Sequence, residues 1–353
     1  MKILIIKISS LGDVVHGFAF VNRLKEIKPD AAVDWVVSDV YSDLVDNLDG
    51  VGRTIPFRRS AWGRNWWKPS TLREIASFIL DIRKSKYDVC LDLQGLFRSG
   101  VIAWLSGAKL RAGFADAREG SRYFYQKYIE PPLGKSFSEN ETATSHHHAV
   151  DKIMQALKLF DVPVPERADF SFTIPPQVTD AAKRLIKEAG IEEYAVFHVG
   201  ARWKTKMWPE NNWREFAGRF QSETGIPVVF TGSPTDSAIV ERIISGLSGR
   251  FLNFCGKGNL IFLSAILKGA KMMVTVDSGP MHLASAFNIP IVSLFGPTSP
   301  EKTGPITGGK NHNFQVQIDC APCFKKGCEI SPNCMDMLTP QSVMEKIPAY
   351  FNK

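Results

Sequence analysis

The chain has 353 residues, of which 44% are hydrophobic and 22% charged, and its formal net charge is +7. At ~100–200 residues per domain this length suggests two domains, and the composition excludes a disordered chain, a collagen, a coiled coil and a disulfide-stapled miniprotein. The excess of Lys and Arg favours an anionic partner, without choosing among phosphate, nucleic acid and an acidic membrane surface.

The sequence contains no stretch of the ~18–20 consecutive apolar residues that a membrane-spanning helix needs. The opening segment MKILIIKISSLGD has a short apolar run that Lys7 interrupts, so we interpret it as a strand and a turn and not as a signal peptide. Six cysteines in a chain of this length fit a reducing compartment. The expected location is therefore the cytoplasm.

Short apolar runs alternate with helical stretches through the first part of the chain. The runs KILIIKI, AVDWVVS and YDVCLDLQG predict buried strands, and GDVVHGFAFVNRLKEIKP and the stretch near SGVIAWLSG predict helices. Strand, helix and strand at this spacing predict a parallel sheet covered by helices.

This alternation weakens between about Pro131 and Pro176. SFSENETATSHHHA is polar and predicts a loop, and AVDKIMQALKLF predicts a helix. The following segment, DVPVPERADFSFTIPP, is rich in proline and has the composition of a linker.

The alternation then restarts. Strands are predicted at YAVFHVG, PVVFTG, KMMVTVDSG and PIVSLFG, and helices at WREFAGRFQSETG, DSAIVERIISGL, LIFLSAILKGA and PMHLASAFN. The pattern predicts an α/β protein with two doubly wound domains, whose ligands bind outside the carboxyl ends of the strands in a cleft between them. The predicted boundaries are an N-terminal domain at 1–160, a linker at 161–178, a C-terminal domain at 179–338, and a final helix at 339–353 that is expected to pack back on the N-terminal domain.

The first strand and helix are joined by a turn with an acidic residue. A dinucleotide-binding fold would place G-x-G-x-x-G here, but the segment offers Ser9, Ser10, Gly12 and Asp13. Asp13 lies at the predicted helix start, where an N-cap would stabilise the helix by ~1 kcal/mol. The alternative is a carboxylate that takes a proton from a substrate hydroxyl.

Two segments of the second domain carry candidates for binding a nucleotide. The loop after Gly200 contains Arg202, Lys204 and Lys206, which suit phosphates but also fit a solvated basic loop. In PVVFTGSPTD the strand ends at Thr231 and Gly232, and Asp236 is either an acceptor for ribose hydroxyls or an ordinary helix-start acid.

The segment VDSGPMHLASA combines a strand end, a tight turn and a helix start. Asp277, Ser278 and Gly279 end the strand, and the free N–H groups of the next helix form an anion site. His282 in the first turn is either a phosphate donor or a structural histidine.

Two further segments have unusual compositions. Residues 53–73 contain six basic residues, no acidic residue and three tryptophans. They form either a solvated basic loop or a surface for an anionic, partly apolar partner such as a lipid headgroup region. The run CAPCFKKGCEISPNC matches no standard zinc finger. Three interpretations remain open for these cysteines: a structural metal, a reversible disulfide and free thiols. The residues are Cys320, Cys323, Cys328 and Cys334.

The motifs KISSLGDVVH, LQGLFRSG, AREGSRYFY, KMWPE, VDSGPMHLASA and LFGPTSP follow one another over nearly the whole chain. In this order they resemble the lipopolysaccharide heptosyltransferases of glycosyltransferase family 9. The segments AREGSRYFY and IPFRRSAW are most similar to the heptosyltransferase I branch, which acts on the Kdo region of the inner core.

This resemblance implies a GT-B fold, in which two Rossmann-like domains face each other across a cleft. It implies transfer of heptose from ADP-heptose, as a substrate, to a Kdo-lipid A type acceptor, with inversion and without a cofactor or a catalytic metal. It also implies peripheral contact with the cytoplasmic face of the inner membrane.

The resemblance also implies roles for single residues, with Asp13 as the general base. The donor-binding residues implied are Arg202, Lys206, Thr231, Gly232, Asp236, Asp277, Ser278, Gly279 and His282. The acceptor-binding residues implied are Arg58, Arg59, Arg64, Arg118 and Arg122.

The chain departs from the family pattern at three places. Ala201–Arg202 stand where a Thr pair is common, Ser278 replaces a commoner Thr, and the four-cysteine segment is more familiar from heptosyltransferase II. Heptosyltransferase II, another family 9 enzyme and a GT-B nucleotide-sugar epimerase therefore remain alternatives. A non-enzymatic anion- or nucleic-acid-binding protein is the remaining one, although no nucleic-acid recognition motif is found and nucleic acid is not an expected partner.

Overall fold

A computed structural model describes residues 1–65, 67–132, 147–308 and 311–347. The described chain divides into two compact units. Residues 1–132 and Ala149–Thr173 form the first unit, and residues 147–148 and 174–347 belong to the second.

The first unit is built on a parallel sheet, which in the described chain has the strand order β3-β2-β1-β4-β5-β6. Its strands are β1 (Lys2–Ile6), β2 (Ala32–Ser38), β3 (Val51–Phe57), β4 (Val89–Asp92), β5 (Leu110–Phe114) and β6 (Lys127–Ile129). Its helices are α1 (Leu11–Ile27), α2 (Ser42–Asp46), α3 (Arg59–Arg64), α4 (Pro69–Lys84), α5 (Phe97–Leu105) and α6 (Ala149–Met154). The central strands are apolar on both faces because helices cover both sides of the sheet.

The second unit repeats this design with a sheet of order β12-β11-β10-β7-β8-β9 over the described residues. Its strands are β7 (Ala195–His198), β8 (Val228–Thr231), β9 (Phe251–Asn253), β10 (Met272–Val276), β11 (Ile291–Phe295) and β12 (Asn311–Gln315). Its helices are α7 (Pro176–Glu188), α8 (Glu210–Thr224), α9 (Ser237–Ile244), α10 (Leu260–Lys268), α11 (Gly279–Ser285), α12 (Pro300–Thr303) and α13 (Pro340–Met344). The Phe197 ring lies at the centre of its core, in contact with Trp213, Phe216 and Phe230.

Both sheets have one topology, in which the order of strands reverses between the first and fourth strands of the unit. This reversal lies between β1 and β4 in the first unit and between β7 and β10 in the second. Ligands of doubly wound folds bind outside the carboxyl ends of the strands at such a switch point. The fold class predicted from the sequence is confirmed. A site is therefore expected in the segments that follow these four strands.

The segment predicted as a linker, 161–178, is not separate from the two units. Residues up to Thr173 belong to the first unit, where the Asn22 side chain donates to the carbonyl oxygens of Asp169 and Ser171. The remaining residues begin the second unit, because α7 starts at Pro176. The proline content marked a segment without regular structure, but side chains of α1 bind it.

The described part of the predicted final helix packs on the second unit. The described part of 339–353 forms α13, and Val343, Met344 and Ile347 join the core of the second unit. These apolar side chains are buried with those of α8, which explains why the segment packs on the second unit and not on the first.

The basic segment 53–73 has regular structure instead of forming a loop. It contains the end of β3, all of α3 and the start of α4. Trp62 is buried against Phe57 and Phe78, whereas Trp67 is 60% exposed, and Trp66 lies outside the described residues. The predicted polar loop at 136–149 also lies outside them as far as residue 146.

None of the described helices is long and apolar enough to cross a membrane.

Candidate functional site

Asp13 lies at the switch point of the first sheet. β1 ends at Ile6, beside Asp92 of β4, and the chain then turns through Ser10 into α1. Ser10 is the N-cap of this helix, and Asp13 is its third residue. Its carboxylate accepts hydrogen bonds from the Ser10 N–H at 2.9 Å and from the Ser10 hydroxyl at 2.8 Å. Asp13 thus caps the helix from within the first turn, and the N-cap interpretation shifts to Ser10.

A buried cation lies beside this carboxylate. Lys7 Nζ is 3.3 Å from Asp13 Oδ1 and donates to the Leu93 carbonyl oxygen at 3.0 Å. Desolvation raises the pKa of Asp13, but Lys7 and the hydrogen bonds from Ser10 together outweigh it, so the pKa lies below its ordinary value. Since 36% of the Asp13 side chain remains exposed, the site holds an ionised carboxylate that a substrate can reach.

Asp13 and Lys7 line a cavity of about 190 Å³ in the first unit. Leu93, Gln94 and Gly95 after β4 form one side, and Asp116, Ala117 and Arg118 after β5 form another. Lys152 on α6 completes it, paired with Asp116 at 2.6 Å and placed over the Phe114 ring. Arg118 is therefore the predicted acceptor residue that the structure brings into the same cavity as Asp13.

The other four predicted acceptor arginines do not line this cavity among the described residues. Arg58 pairs with Glu74 at 3.6 Å, Arg59 begins α3, and Arg64 donates to the Ser60 carbonyl oxygen. Arg122 lies over the Tyr123 ring. All four side chains are exposed and lie on the surface of the first unit outside the cavity.

Lys206 and Asp277 meet at the switch point of the second sheet. Lys206 follows β7 in a single helical turn, Lys204–Lys206, and Asp277 follows β10. Their side chains pair at 2.7 Å, and the Thr298 hydroxyl donates to the same carboxylate oxygen at 2.6 Å. Lys206 also lies over the Trp203 ring. The pair is largely buried, which fixes the ammonium group at the end of the strands.

The start of α11 lies directly after this pair. Ser278 is the N-cap of α11 in extended conformation, and its hydroxyl is 3.2 Å from that of Thr275. Gly279 is the first helical residue, and His282 is a buried residue of this seven-residue helix. The structure therefore brings four predicted donor residues, Lys206, Asp277, Ser278 and Gly279, into one neighbourhood with His282.

A second group of predicted donor residues surrounds the end of β8. The Asp236 carboxylate accepts from the Ser233 N–H at 2.7 Å and the Ser233 hydroxyl at 2.6 Å. A side chain on Gly200 would come within 2.6 Å of this carboxylate, so glycine at 200 allows β7 and Asp236 to approach closely. Gly232 lies against Asp236 in the same way.

Two other predicted donor residues differ in exposure. Thr231 is 2% exposed, and its hydroxyl bonds to the His198 ring at 3.0 Å. The Thr231 side chain is therefore part of the interior of the second unit. Arg202 is exposed.

The four C-terminal cysteines line a small cavity of about 30 Å³. All are free thiols, and no group of metal-ligating side chains is arranged to hold an ion in the described ranges. Burial and the neighbouring Cys323 and Cys328 raise the pKa of Cys334. The segment touches the Lys206 turn, because the Thr205 hydroxyl donates to the Lys325 carbonyl oxygen at 3.0 Å.

The site contains residues that the sequence analysis did not propose. Lys7 is a charged residue directly after the apolar run of β1, and a Lys buried at this place needs a partner. Gln94 lies two residues after the end of β4, a position at which site residues of parallel sheets are expected. Lys152 and Thr298 carried no comparable signal.

Comparison with known proteins gives a consistent result. The family model for glycosyltransferase family 9 (heptosyltransferase) matches residues 75–333. Lipopolysaccharide heptosyltransferase 1 of Pseudomonas aeruginosa is 30% identical, with 99% of this chain and 98% of that protein covered. Lipopolysaccharide heptosyltransferase 1 of Escherichia coli K12 is 26% identical, with 98% and 99% covered.

Solved structures share the fold. The E. coli heptosyltransferase WaaC with ADP superposes with a TM-score of 0.79 at 24% identity, covering 99% of this chain and 100% of that one. The E. coli ADP-heptose LPS heptosyltransferase II gives 0.77 at 23% identity, covering 99% and 98%.

Proposed function

Because this chain belongs to glycosyltransferase family 9, the heptosyltransferase family, we propose that it transfers L-glycero-D-manno-heptose from ADP-heptose to the Kdo region of the lipid A inner core. The observation that carries the proposal is the ionised, partly exposed Asp13 carboxylate in a cavity shared with Arg118. The full-length similarity to proteins named lipopolysaccharide heptosyltransferase 1 supports this donor and acceptor.

Asp13 is the general base of the proposed reaction. It takes the proton from an acceptor hydroxyl while that oxygen forms a bond to the anomeric carbon of the heptose. The bond from this carbon to the diphosphate breaks, and ADP leaves with the electron pair. One displacement from the face opposite ADP inverts the anomeric carbon and needs no enzyme nucleophile. The lowered pKa of Asp13 keeps its carboxylate ionised at neutral pH, so it can accept the proton.

The donor is proposed to bind the second unit. Lys206 neutralises the diphosphate, and Ser278, Gly279 and His282 contact its oxygens at the start of α11. Preorganised donors of this kind typically contribute ~10²–10³ in rate each. Asp236 accepts from the ribose, Asp277 holds Lys206 in place, and the remaining proposed donor contacts are made by Arg202, Thr231 and Gly232.

The acceptor is proposed to bind the first unit. Arg118 faces the acidic sugar in the Asp13 cavity, and Arg58, Arg59, Arg64 and Arg122 bind acidic groups outside it. Arg suits these groups because its planar guanidinium pairs with carboxylate and phosphate.

The experiment that tests the proposal is Asp13→Asn and Asp13→Ala. Asn keeps the shape but cannot take the proton, so both variants should lose most turnover while ADP affinity stays near that of the wild type. Asp43→Ala removes an acid from the first turn of α2 and serves as the control. Transfer by Asp13→Asn at the wild-type rate would show that the base is another group.

The acceptor is tested by a matched pair of substrates. Purified protein is incubated with ADP-heptose and either Kdo-lipid A or the same lipid already carrying one heptose, and products are read by mass spectrometry. Preferential transfer to Kdo-lipid A supports the heptosyltransferase I activity. Preference for the heptosylated lipid would assign the second transfer step instead.

The proposed location is the cytoplasmic face of the inner membrane, with peripheral contact. The exposed Trp67 lies in the same segment of the chain as the exposed Arg58, Arg59 and Arg64, and this composition supports the contact, because tryptophan and basic side chains suit a headgroup region. Co-sedimentation with anionic vesicles that weakens in Trp67→Ala supports this contact. Equal binding to neutral and anionic vesicles would contradict it.

A further inference from the structure

We propose that Gln94 is a positioning residue that fixes the Asp13 carboxylate for proton transfer. The inference rests on the proposed function, because it assigns a role that Gln94 performs through the general base. Gln94 follows β4, on the other side of the switch point from the turn that carries Asp13.

The Gln94 amide oxygen holds the turn between β1 and α1. It accepts the backbone N–H of Ile8 at 3.0 Å and that of Ser9 at 2.9 Å. Two N–H donors on one oxygen also determine which end of the amide faces the turn. The next residue, Ser10, donates from both its N–H and its hydroxyl to Asp13. Gln94 is thus two hydrogen-bond steps from the reacting carboxylate.

The backbone of Gln94 is itself held in place. Asp92 is fully buried, and one of its carboxylate oxygens accepts the N–H groups of Gln94 at 2.8 Å and Gly95 at 3.0 Å. The other oxygen accepts the Tyr125 hydroxyl at 2.6 Å. The Gln94 side chain therefore extends from a rigid turn, which makes the position of its amide oxygen well defined.

A neutral acceptor is the chemistry this position requires. A carboxylate at 94 would accept the same two bonds, but it would add a negative charge to the cavity that Asp13 and Lys7 line. An apolar side chain would leave the two N–H groups without this acceptor and allow the turn to rearrange. An amide accepts both N–H groups of the turn without adding a charge, so Asp13 remains the carboxylate that pairs with Lys7.

The test compares Gln94→Met, which removes the acceptor, with Gln94→Glu, which keeps it. We expect Gln94→Met to lower kcat by ~10²-fold, the effect of a small misplacement of a catalytic group, with ADP affinity unchanged. Gln94→Glu should restore most of kcat at high pH. Its acid limb should move to higher pH, because the added charge opposes ionisation of Asp13. The other charged groups lining this cavity, Lys7, Asp116, Arg118 and Lys152, are the same in both variants.

The double variant Asp13→Ala/Gln94→Met separates positioning from general stability. If Gln94 acts through Asp13, the double variant should be no slower than Asp13→Ala alone. A further loss in the double variant, or wild-type kcat in Gln94→Met, would overturn the inference.

The Glu variant keeps the inference testable even if Gln94→Met folds poorly, since it preserves both hydrogen bonds. An unmoved acid limb in Gln94→Glu would overturn it. Transfer at the wild-type rate by Asp13→Asn would instead remove the general base that the proposed function assigns, so the two failures are distinguishable.

Discussion

Lys7 is a buried cation with two partners: it pairs with the Asp13 carboxylate and donates a hydrogen bond to the Leu93 carbonyl oxygen. Replacing it by methionine keeps the apolar stem but removes the charge that favours ionised Asp13. The pKa of Asp13 should rise, because the desolvation that opposes ionisation is then less fully offset. Less of the base is ionised at low pH, so the acid limb of kcat/KM should move to higher pH in a pH–rate profile.

Lys2 provides the matched control at the other end of β1. It pairs with Asp34 at 3.5 Å and is far more exposed than Lys7. Lys2→Met should leave the acid limb where it is. If Lys7→Met leaves the limb unmoved as well, Asp13 is not the group that the profile reports.

Lys206→Ala should weaken donor binding and lower the rate together. The variant removes the cation proposed for the diphosphate and leaves Asp277 with Thr298 as its described partner. The rate should fall by ~10²–10³-fold, and calorimetry should show a higher dissociation constant for ADP. Lys204→Ala, in the same turn but exposed, should change neither. A normal ADP affinity in Lys206→Ala would remove this residue from the phosphate site.

For single residues, the sequence could predict which polar groups follow strands, and Asp13, Lys206 and Asp277 were predicted as site residues for that reason. It could not predict that Lys206 and Asp277 pair. That contact joins the ends of β7 and β10, strands that are adjacent in the sheet but distant in the chain. The role of Gln94 was beyond prediction for the same reason, since it depends on β1 lying beside β4.

In the segment from β3 to α4, packed secondary structure holds the basic side chains at the surface. Its aromatic cluster, Phe57, Trp62 and Phe78, anchors α3 to the sheet, and the arginines extend from the outer side. A rigid element presents charges in a defined arrangement, which a mobile loop would not.

Charge removal at Arg58, Arg59 and Arg64 should weaken binding of phosphorylated Kdo-lipid A without affecting ADP. The loss should be larger at low salt, because salt screens exposed charges over a Debye length of ~10 Å at 0.1 M. The measurement is the acceptor KM at two ionic strengths. Replacing Arg83, Lys84 and Lys86, which are also exposed but lie outside the basic segment, removes three charges and controls for net charge. Unchanged acceptor kinetics would leave these arginines without a role in binding.

The strands that the sequence analysis did not predict are mainly those at the sheet edges. β3, β6, β9 and β12 are the end strands of the described sheets, and β5 is an inner strand that was also missed. Edge strands are half-exposed and lack the continuous apolar run of a strand covered on both faces. β3 even contains Pro56, which an edge position tolerates because one side of the strand needs no ladder partner.

At the scale of the whole molecule, the prediction of two doubly wound units holds because each unit repeats one pattern of apolar strand and amphipathic helix. The boundary between them was less predictable. Composition predicted a linker at 161–178. Side chains of α1, Asn22 and Arg23, bind residues of this segment, and a periodic pattern in the sequence does not reveal such contacts.

Stability should depend on pH through His198. Burial lowers the pKa of this ring to about 4, although the Asp236 carboxylate opposes the shift. Between its unfolded value of 6.5 and about 4, the unfolded chain binds a proton that the folded chain does not. The free energy of unfolding should therefore fall as the pH is lowered through this window, by up to about 1.4 kcal/mol per pH unit.

The check is urea denaturation at several pH values, for the wild type and for His198→Asn. The variant cannot take up the proton, so its stability should fall less steeply over the same window. Parallel curves for the two proteins would mean that His198 is not responsible.

The packing of Tyr125 on β5 has an evolutionary consequence. A methyl group on Gly113 would lie 2.3 Å from the Tyr125 ring, and the hydroxyl of this ring satisfies the buried Asp92. Glycine, tyrosine and aspartate at these three places are thus expected to be epistatic. A library that randomises all three should yield functional clones with a larger residue at 113 only when 125 becomes smaller, so a single substitution at 113 is expected to be selected against.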